Sequence, residues 1–141
     1  MIVVDASAIT ELLLQTELGR RVEQRIVTEY DDLHAPHLLD VEVLSALRRL
    51  VRLREISAER AEEAIDDLSL LRIVRHGHLD VVRRAWELRE NMTAYDATYV
   101  ALAESLDLRE EVVRERHPRL CGPDLDLTVQ RIGYIADLDH P

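Results

Sequence analysis

The sequence predicts an α/β sandwich around a central, mostly parallel sheet, and three observations support this fold class. Short β-branched runs that are typical of buried strands recur along the chain. Segments with helical periodicity separate these runs in pairs, which gives a repeated strand–helix–helix order. The chain has 141 residues, of which 47% are apolar, and this is enough for one sizeable core. We therefore expect a single domain over residues 1–141.

The first half of the chain should contain two strands and three helices. An apolar β-branched run begins the chain, and Ser7 is a suitable start for the helix that follows it. Pro36 closes the second strand and stands just before a long helix. The predicted elements are strand Ile2–Val4, a helix from Ser7, helix Leu18–Tyr30, strand Leu33–Ala35 and helix His37–Arg54.

The second half repeats this alternation. Ser57 and Thr93 are good N-caps for two of its helices, and the turn His76-Gly77-His78 ends a strand. The two histidines of this turn lack an evident third ligand, so a polar turn is favoured over a metal site. The predicted elements are a helix from Ser57 to Leu70, strand Arg72–Arg75, and helices Leu79–Arg89 and Ala94–Leu106.

Composition narrows the classes of function. The net charge of −10 argues against non-specific binding of nucleic acid through a basic field, although it does not exclude a nuclease. A basic ridge on one helix is most simply a solvated face, and it could also line the rim of a site; it consists of Arg48, Arg49, Arg52 and Arg54. No signal peptide or membrane span is evident, so we expect a cytoplasmic protein. A single cysteine, Cys121, excludes an intrachain disulfide.

Three acidic residues stand where folding alone would favour apolar or small residues. Asp5 ends the first strand, Glu42 lies between two valines of a helix, and Asp96 opens a helix of small residues. A buried carboxylate is costly unless it is paired or binds a cation. Each acid taken singly has a structural explanation, such as complementing a helix dipole. Together, at the ends of elements in an α/β sheet, they predict an acidic cluster that binds a hard divalent cation.

The same residues carry a resemblance to a known family. The phrases MIVVDASAITELLL, HAPHLLDVEVLSALRRLVRLREISAERAEEAI and RAWELRENMTAYDATYVALAESL resemble PIN-domain ribonucleases, and more narrowly VapC toxins of bacterial VapBC toxin–antitoxin modules. The resemblance covers the chain from Met1 to about Leu106. It implies a PIN-like (RNase H-like) α/β/α sandwich with a central, mostly parallel sheet.

The resemblance also implies an activity and a set of site residues. PIN domains cleave RNA with Mg²⁺ or Mn²⁺ held by three or four carboxylates, and Asp5, Glu42 and Asp96 match the first three. Ser7 matches a hydroxyl residue beside the metal in the family. The implied function is a metal-dependent endoribonuclease toxin that cleaves tRNA or rRNA and inhibits translation. The implied partners are a cognate VapB-type antitoxin and a second copy of the chain in a homodimer.

The chain departs from the family after Leu106, so residues 107–141 form an atypical segment. Val112-Val113 is a candidate strand, but the usual T-x-D motif is replaced by Arg114-Glu115-Arg116. Glu115 is a candidate fourth ligand, and Asp124 and Asp126 are weaker ones. Two alternatives to an active toxin therefore stay open: a catalytically weak or inactive PIN domain that acts mainly by binding its antitoxin, and a helical interaction protein without nuclease activity.

A homodimer is also expected from the residues themselves. Leu50, Val51, Leu53 and Ile56 extend past the end of the predicted core stripe of one helix. Exposed apolar surface of this kind usually marks an interface.

Overall fold

The computed structural model describes residues 1–29, 32–106 and 112–113, and it has the predicted alternation of strands and helices. Each of the first three strands is followed by two helices, and a short fourth strand follows the last helix. The elements are β1 Ile2–Val4, α1 Ala6–Leu13, α2 Glu17–Glu29, β2 Leu33–Pro36, α3 Leu38–Arg52, α4 Ala58–Leu70, β3 Ile73–His76, α5 Val82–Glu87, α6 Ala94–Ser105 and β4 Val112–Val113.

The strands form one parallel sheet in the order β3-β2-β1-β4. The β1 residues Ile2, Val3 and Val4 are completely buried, as their continuous apolar run predicts for an inner parallel strand. Val112-Val113 pairs with β1, so the candidate strand in the atypical segment is confirmed. The parallel sheet and its helices confirm the predicted fold class.

The helices α1 and α2 approach each other closely at a glycine. A Cβ built on Gly19 would lie 2.0 Å from the backbone oxygen of Glu11, so only glycine permits this approach. Thr16 connects the two helices: its hydroxyl accepts from the Gly19 N–H at 3.0 Å and donates to the buried Glu11 carboxylate. This pairing fixes the far end of α1, the helix that begins at the candidate site.

Helix α3 packs its predicted apolar stripe into the core, and an ion pair holds its first turn against the sheet. Leu39, Val43 and Leu47 are almost fully buried. Arg75 of β3 donates from Nε and Nη2 to both carboxylate oxygens of Asp40 at 2.8–3.0 Å. Such a bidentate contact restrains direction as well as distance, so it restrains the helix that carries Glu42.

One premise of the expected dimer is wrong in the structure. Leu50 is only 6% exposed, and Val51 and Ile56 pack against the core. The turn that separates them is hydrogen-bonded back to the end of α3. Of the four residues named, only Leu53 is exposed, at 53%. The homodimer itself stays a prediction.

Helix α5 is shorter than the predicted Leu79–Arg89. It begins after a turn in which the Val81 N–H donates to the His78 carbonyl, and no side chain caps it. Leu79 is 89% exposed, so its side chain gains little from packing that would favour an earlier start of the helix. Arg84 joins α5 to α6 through two hydrogen bonds to Glu104, at 2.6 and 2.9 Å, and these bonds lower the pKa of Glu104.

Among the described residues, no helix has the length and apolar character needed to cross a membrane.

Candidate functional site

Asp5 lies at the carboxyl end of β1 and is the N-cap of α1. Its Oδ1 accepts from the Ala8 N–H at 2.9 Å and from the Ser7 hydroxyl at 2.8 Å. The sequence predicted that this helix begins at Ser7. In the structure the carboxylate of Asp5, two residues earlier, caps the helix instead. Ser7 instead bonds to the acid itself. The Asp5 carboxylate is therefore held in one orientation at the sheet edge where open parallel sheets bind ligands.

Glu42 lies in the second turn of α3 and is half-buried, as expected. Its Oε2 accepts a 2.6 Å hydrogen bond from the phenol of Tyr99, which belongs to α6 and is only 3% exposed. A buried phenol needs a partner for its O–H, and a carboxylate is the strongest acceptor available to it. This bond ties the Glu42 carboxylate to α6.

Asp96 stands in the first turn of α6, also half-buried. Thr93 is the helix N-cap, as predicted; its hydroxyl accepts from the Asp96 N–H at 3.2 Å and donates to Asp96 Oδ2 at 2.7 Å. Tyr99 follows Asp96 by three residues, so both lie on one side of α6, about 4.5 Å apart along the axis. Glu42 is thus bound to α6 within one turn of Asp96.

The three acids share one feature. Each accepts a hydrogen bond from a neutral hydroxyl: Ser7 for Asp5, Tyr99 for Glu42 and Thr93 for Asp96. A hydroxyl restrains a carboxylate without adding a positive charge, unlike the arginine that contacts Asp40. These contacts therefore orient acidic oxygens and contribute no cation of their own.

The donor chemistry of these residues fits a hard divalent cation. Within residues 1–29, 32–106 and 112–113, however, no three His, Cys, Asp or Glu side chains are grouped as a ready-made metal cage. Mg²⁺ commonly uses one or two carboxylates, keeps several waters and binds substrate phosphate, so its site need not be such a cage. Joint ligation of one ion by Asp5, Glu42 and Asp96 stays a prediction. Glu115, Asp124 and Asp126 lie outside the described residues.

A histidine pair on the sheet is the second polar cluster. His34 Nδ1 and His76 Nε2 are 2.9 Å apart across β2 and β3, and the rings stack with centroids 5.2 Å apart. His34 Nε2 is buried and has no hydrogen-bond partner in the described part of the chain. Burial first, and the charge of His76 second, lower the pKa of His34. His76 contacts a histidine of the neighbouring strand.

Sequence reasoning missed two contributions to this site. Thr93 was identified as a cap but not as a donor to the Asp96 side chain, and Tyr99 was not singled out at all. The sequence did contain an indication of Tyr99: its phenol lies next to the small or apolar residues Ala97, Val100 and Ala101, all of which are buried. Its partner Glu42 is 57 residues away, and no local pattern connects the two.

Comparisons with known proteins show which family the chain is similar to. A family model described as the PIN domain matches residues 2–112. The chain is 43% identical to Ribonuclease VapC9 of Mycobacterium tuberculosis over 107 residues, which cover 76% of this chain and 80% of that protein. It is 44% identical to Ribonuclease VapC1 of the same organism, with 75% and 80% covered.

One solved structure shares the fold. The crystal structure of VapC20 of Mycobacterium tuberculosis, a toxin that cleaves the sarcin–ricin loop, superposes with a TM-score of 0.63. The match covers 84% of this chain and 92% of that chain at 13% sequence identity. At that identity the likeness concerns the backbone arrangement alone.

Proposed function

This chain belongs to the PIN-domain family, and from that premise we propose that it is a metal-dependent endoribonuclease, the toxin of a type II toxin–antitoxin pair. Its substrate would be tRNA or rRNA, cleaved in the cytoplasm to inhibit translation. One observation carries the proposal: the three acids that match the family each accept a bond from a neutral hydroxyl, and Asp5 does so at the carboxyl end of β1. The relatives named as ribonucleases support the reaction class.

Asp5, Glu42 and Asp96 would hold Mg²⁺ or Mn²⁺. The bound ion would supply an activated water and charge stabilisation at the phosphate. The chain's own contribution is orientation. Ser7 restrains Asp5, and Tyr99 restrains Glu42, so the carboxylates lose little freedom when a cation and an RNA phosphate arrive.

The alternative is a catalytically weak or inactive PIN domain that acts mainly by binding its antitoxin. The sequence favours keeping it, because Arg114-Glu115-Arg116 replaces the expected T-x-D motif. Loss of one acid lowers the ligand charge and hence the metal affinity. Cleavage assays on Glu115→Gln decide whether Glu115 is a ligand: a higher metal requirement than wild type indicates that it is, and an unchanged requirement indicates that three acids suffice.

The proposed partners are a VapB-type antitoxin and a second copy of the chain. The family names of the relatives support the antitoxin. Exposed apolar side chains at α5 support an interface: Leu79, in the turn before the helix, is 89% exposed, and Val82 and Trp86, one turn apart in the helix, are 57% and 68% exposed. Light scattering across micromolar concentrations tests the homodimer, and a monomer throughout would contradict it.

The experiment is induced expression in a bacterial host, with sequencing of RNA 5′ ends. We expect growth arrest and new ends at defined positions in tRNA or rRNA. Asp5→Asn should abolish both effects, whereas Asp67→Asn, which alters an exposed acid of α4, should abolish neither. Growth arrest without new RNA ends, or equal cleavage by Asp5→Asn, would contradict a nuclease site at Asp5.

A further inference from the structure

A polar stripe runs along α3 from Glu42 toward the end of the helix. Glu42, Ser45, Arg49 and Arg52 follow one another at spacings of three, four and three residues, so they lie along one side of the helix. The buried positions Leu39, Val43, Leu47 and Leu50 occupy the neighbouring face. Arg49 is about 10 Å from Glu42 along the axis, and Arg52 is about 15 Å away. We call Arg49 and Arg52 the arginine track.

The arginine track is not neutralised locally. Within the part of the chain that the structure describes, neither side chain forms an ion pair or a hydrogen bond. Arg52 is exposed and Arg49 is half-buried. Several other arginines, in contrast, are paired with carboxylates: Arg20, Arg60, Arg75, Arg84 and Arg89. Arg49 and Arg52 differ from other arginines without a carboxylate partner in their position, because they lie on the side of α3 that carries Glu42.

We propose that the arginine track binds the phosphate backbone of the substrate RNA on one side of the cleaved bond. This assignment rests on the proposed function, because it takes Glu42 as part of the cleavage site. Guanidinium groups form paired hydrogen bonds with phosphate, and contacts to phosphate position a nucleic acid without reading its sequence. The track therefore fixes the direction in which RNA leaves the site, along α3 toward Arg52.

The distance between Arg49 and Glu42 is short enough for Arg49 to attract RNA phosphate at moderate salt. The Debye length at ~0.1 M salt is ~10 Å, which is about the distance from Glu42 to Arg49. Arg49 therefore still attracts a phosphate beside the acids, where the carboxylates alone would repel it. Arg52, farther along, acts chiefly on phosphates that lie directly over it. Substitution of Arg49 should accordingly impair RNA binding more than substitution of Arg52.

The test compares two double variants of equal charge. Arg49→Gln/Arg52→Gln removes the track, and Arg72→Gln/Arg83→Gln removes two exposed arginines, one just before β3 and one in α5. Gln is a good helix former, so circular dichroism and thermal unfolding should show both variants folded. Binding of a fluorescent single-stranded RNA is measured in chelator across a salt series, and cleavage of the same RNA is measured separately with Mn²⁺.

Loss of two phosphate contacts should reduce the slope of log affinity against log salt by about 1.4, at about 0.7 per contact on single strands. The matched control should keep the wild-type slope. In cleavage, the track variant should raise KM and leave kcat close to wild type. Equal slopes in the two variants would overturn the proposal and leave the ridge a solvated face.

The failures of the two proposals are distinguishable. If wild type cleaves RNA and the two double variants have the same salt dependence of RNA affinity, only the proposal for the arginine track is rejected. RNA binding that depends on the track, without cleavage by wild type at any metal concentration, rejects the nuclease and keeps an RNA-binding surface. The track variant could instead keep the wild-type salt dependence of RNA affinity and lose antitoxin binding. That result would assign the track to an acidic protein segment and would also reject the proposal.

Discussion

Removal of one oxygen atom at Tyr99 tests whether the acids are held in place from α6. Tyr99→Phe keeps the buried ring and deletes only the hydroxyl that donates to Glu42 Oε2 at 2.6 Å. The protein should remain folded, because Tyr99 is 3% exposed and its ring contacts are kept. Glu42 should lose this hydrogen bond from α6, and the protein should become less stable and respond less to a divalent cation.

The magnitude follows from the contact. A hydrogen bond to a charged acceptor contributes about 1.5–3 kcal/mol. Glu42 is half-buried, so water can replace part of the lost donor, and the cost should lie near ~1.5 kcal/mol. For a chain of this length that cost corresponds to a fall of about 5 °C in Tm.

The assay is thermal unfolding in chelator and in an Mn²⁺ series, with Tyr95→Phe as the matched control. Tyr95 lies on the same helix but is 60% exposed, so its variant should unfold within about 0.5 kcal/mol of wild type. Tyr99→Phe should also need more Mn²⁺ for the same stabilisation. Identical Tm values and identical Mn²⁺ responses in the two variants would refute the idea that Tyr99 positions Glu42.

Two further predictions concern the scaffold. Gly19→Ala should lower the free energy of unfolding by ~1–3 kcal/mol in denaturant unfolding, because its Cβ would lie 2.0 Å from the Glu11 carbonyl oxygen. Gly77→Ala should be near neutral, because nothing lies within 4 Å of its Cβ; equal costs would contradict the close approach of α1 and α2. The second prediction concerns pH, because burial and the charge of His76 lower the pKa of His34 in the folded state. As pH falls, the unfolded chain binds a proton at this histidine before the folded chain does. The free energy of unfolding should therefore decrease below pH ~6.5, by up to ~1.4 kcal/mol per pH unit. His34→Gln should flatten that slope in unfolding measured on both sides of pH ~6.5, and an unchanged slope would assign the dependence to other groups.

The elements that the sequence predicted well are those set by local chemistry. The continuous apolar run of β1 and the 3.6-residue stripe of α3 determine burial directly, so both were placed within two residues. The caps at Ser57 and Thr93 were confirmed for the same reason. The predicted start of α1 at Ser7 was wrong, because Asp5, two positions earlier, is also a favoured capping residue and is the N-cap.

The features that the sequence did not predict depend on contacts between distant segments. The bond from Tyr99 to Glu42 requires α6 and α3 to meet at the end of the sheet. The pair His34–His76 depends on the β2–β3 register, in which Pro36 lies opposite His76. Strand register is set by the packing of the whole sheet. The hydroxyl contact of Glu42 was therefore not predictable from the sequence, whereas that of Asp96 comes from Thr93, three residues earlier.

The central claim is that Asp5, Glu42 and Asp96 form a metal-dependent site for RNA cleavage. The most direct measurement is the cleavage rate of bacterial tRNA and rRNA by the purified protein, free of antitoxin, as a function of Mn²⁺ concentration. Wild type and Asp67→Asn should cleave at the same positions with the same metal dependence, and chelator should stop both. Asp5→Asn, Glu42→Gln and Asp96→Asn should each remove cleavage while leaving folded proteins. Cleavage that persists in chelator, or in any of these three variants at the wild-type rate, would contradict the claim.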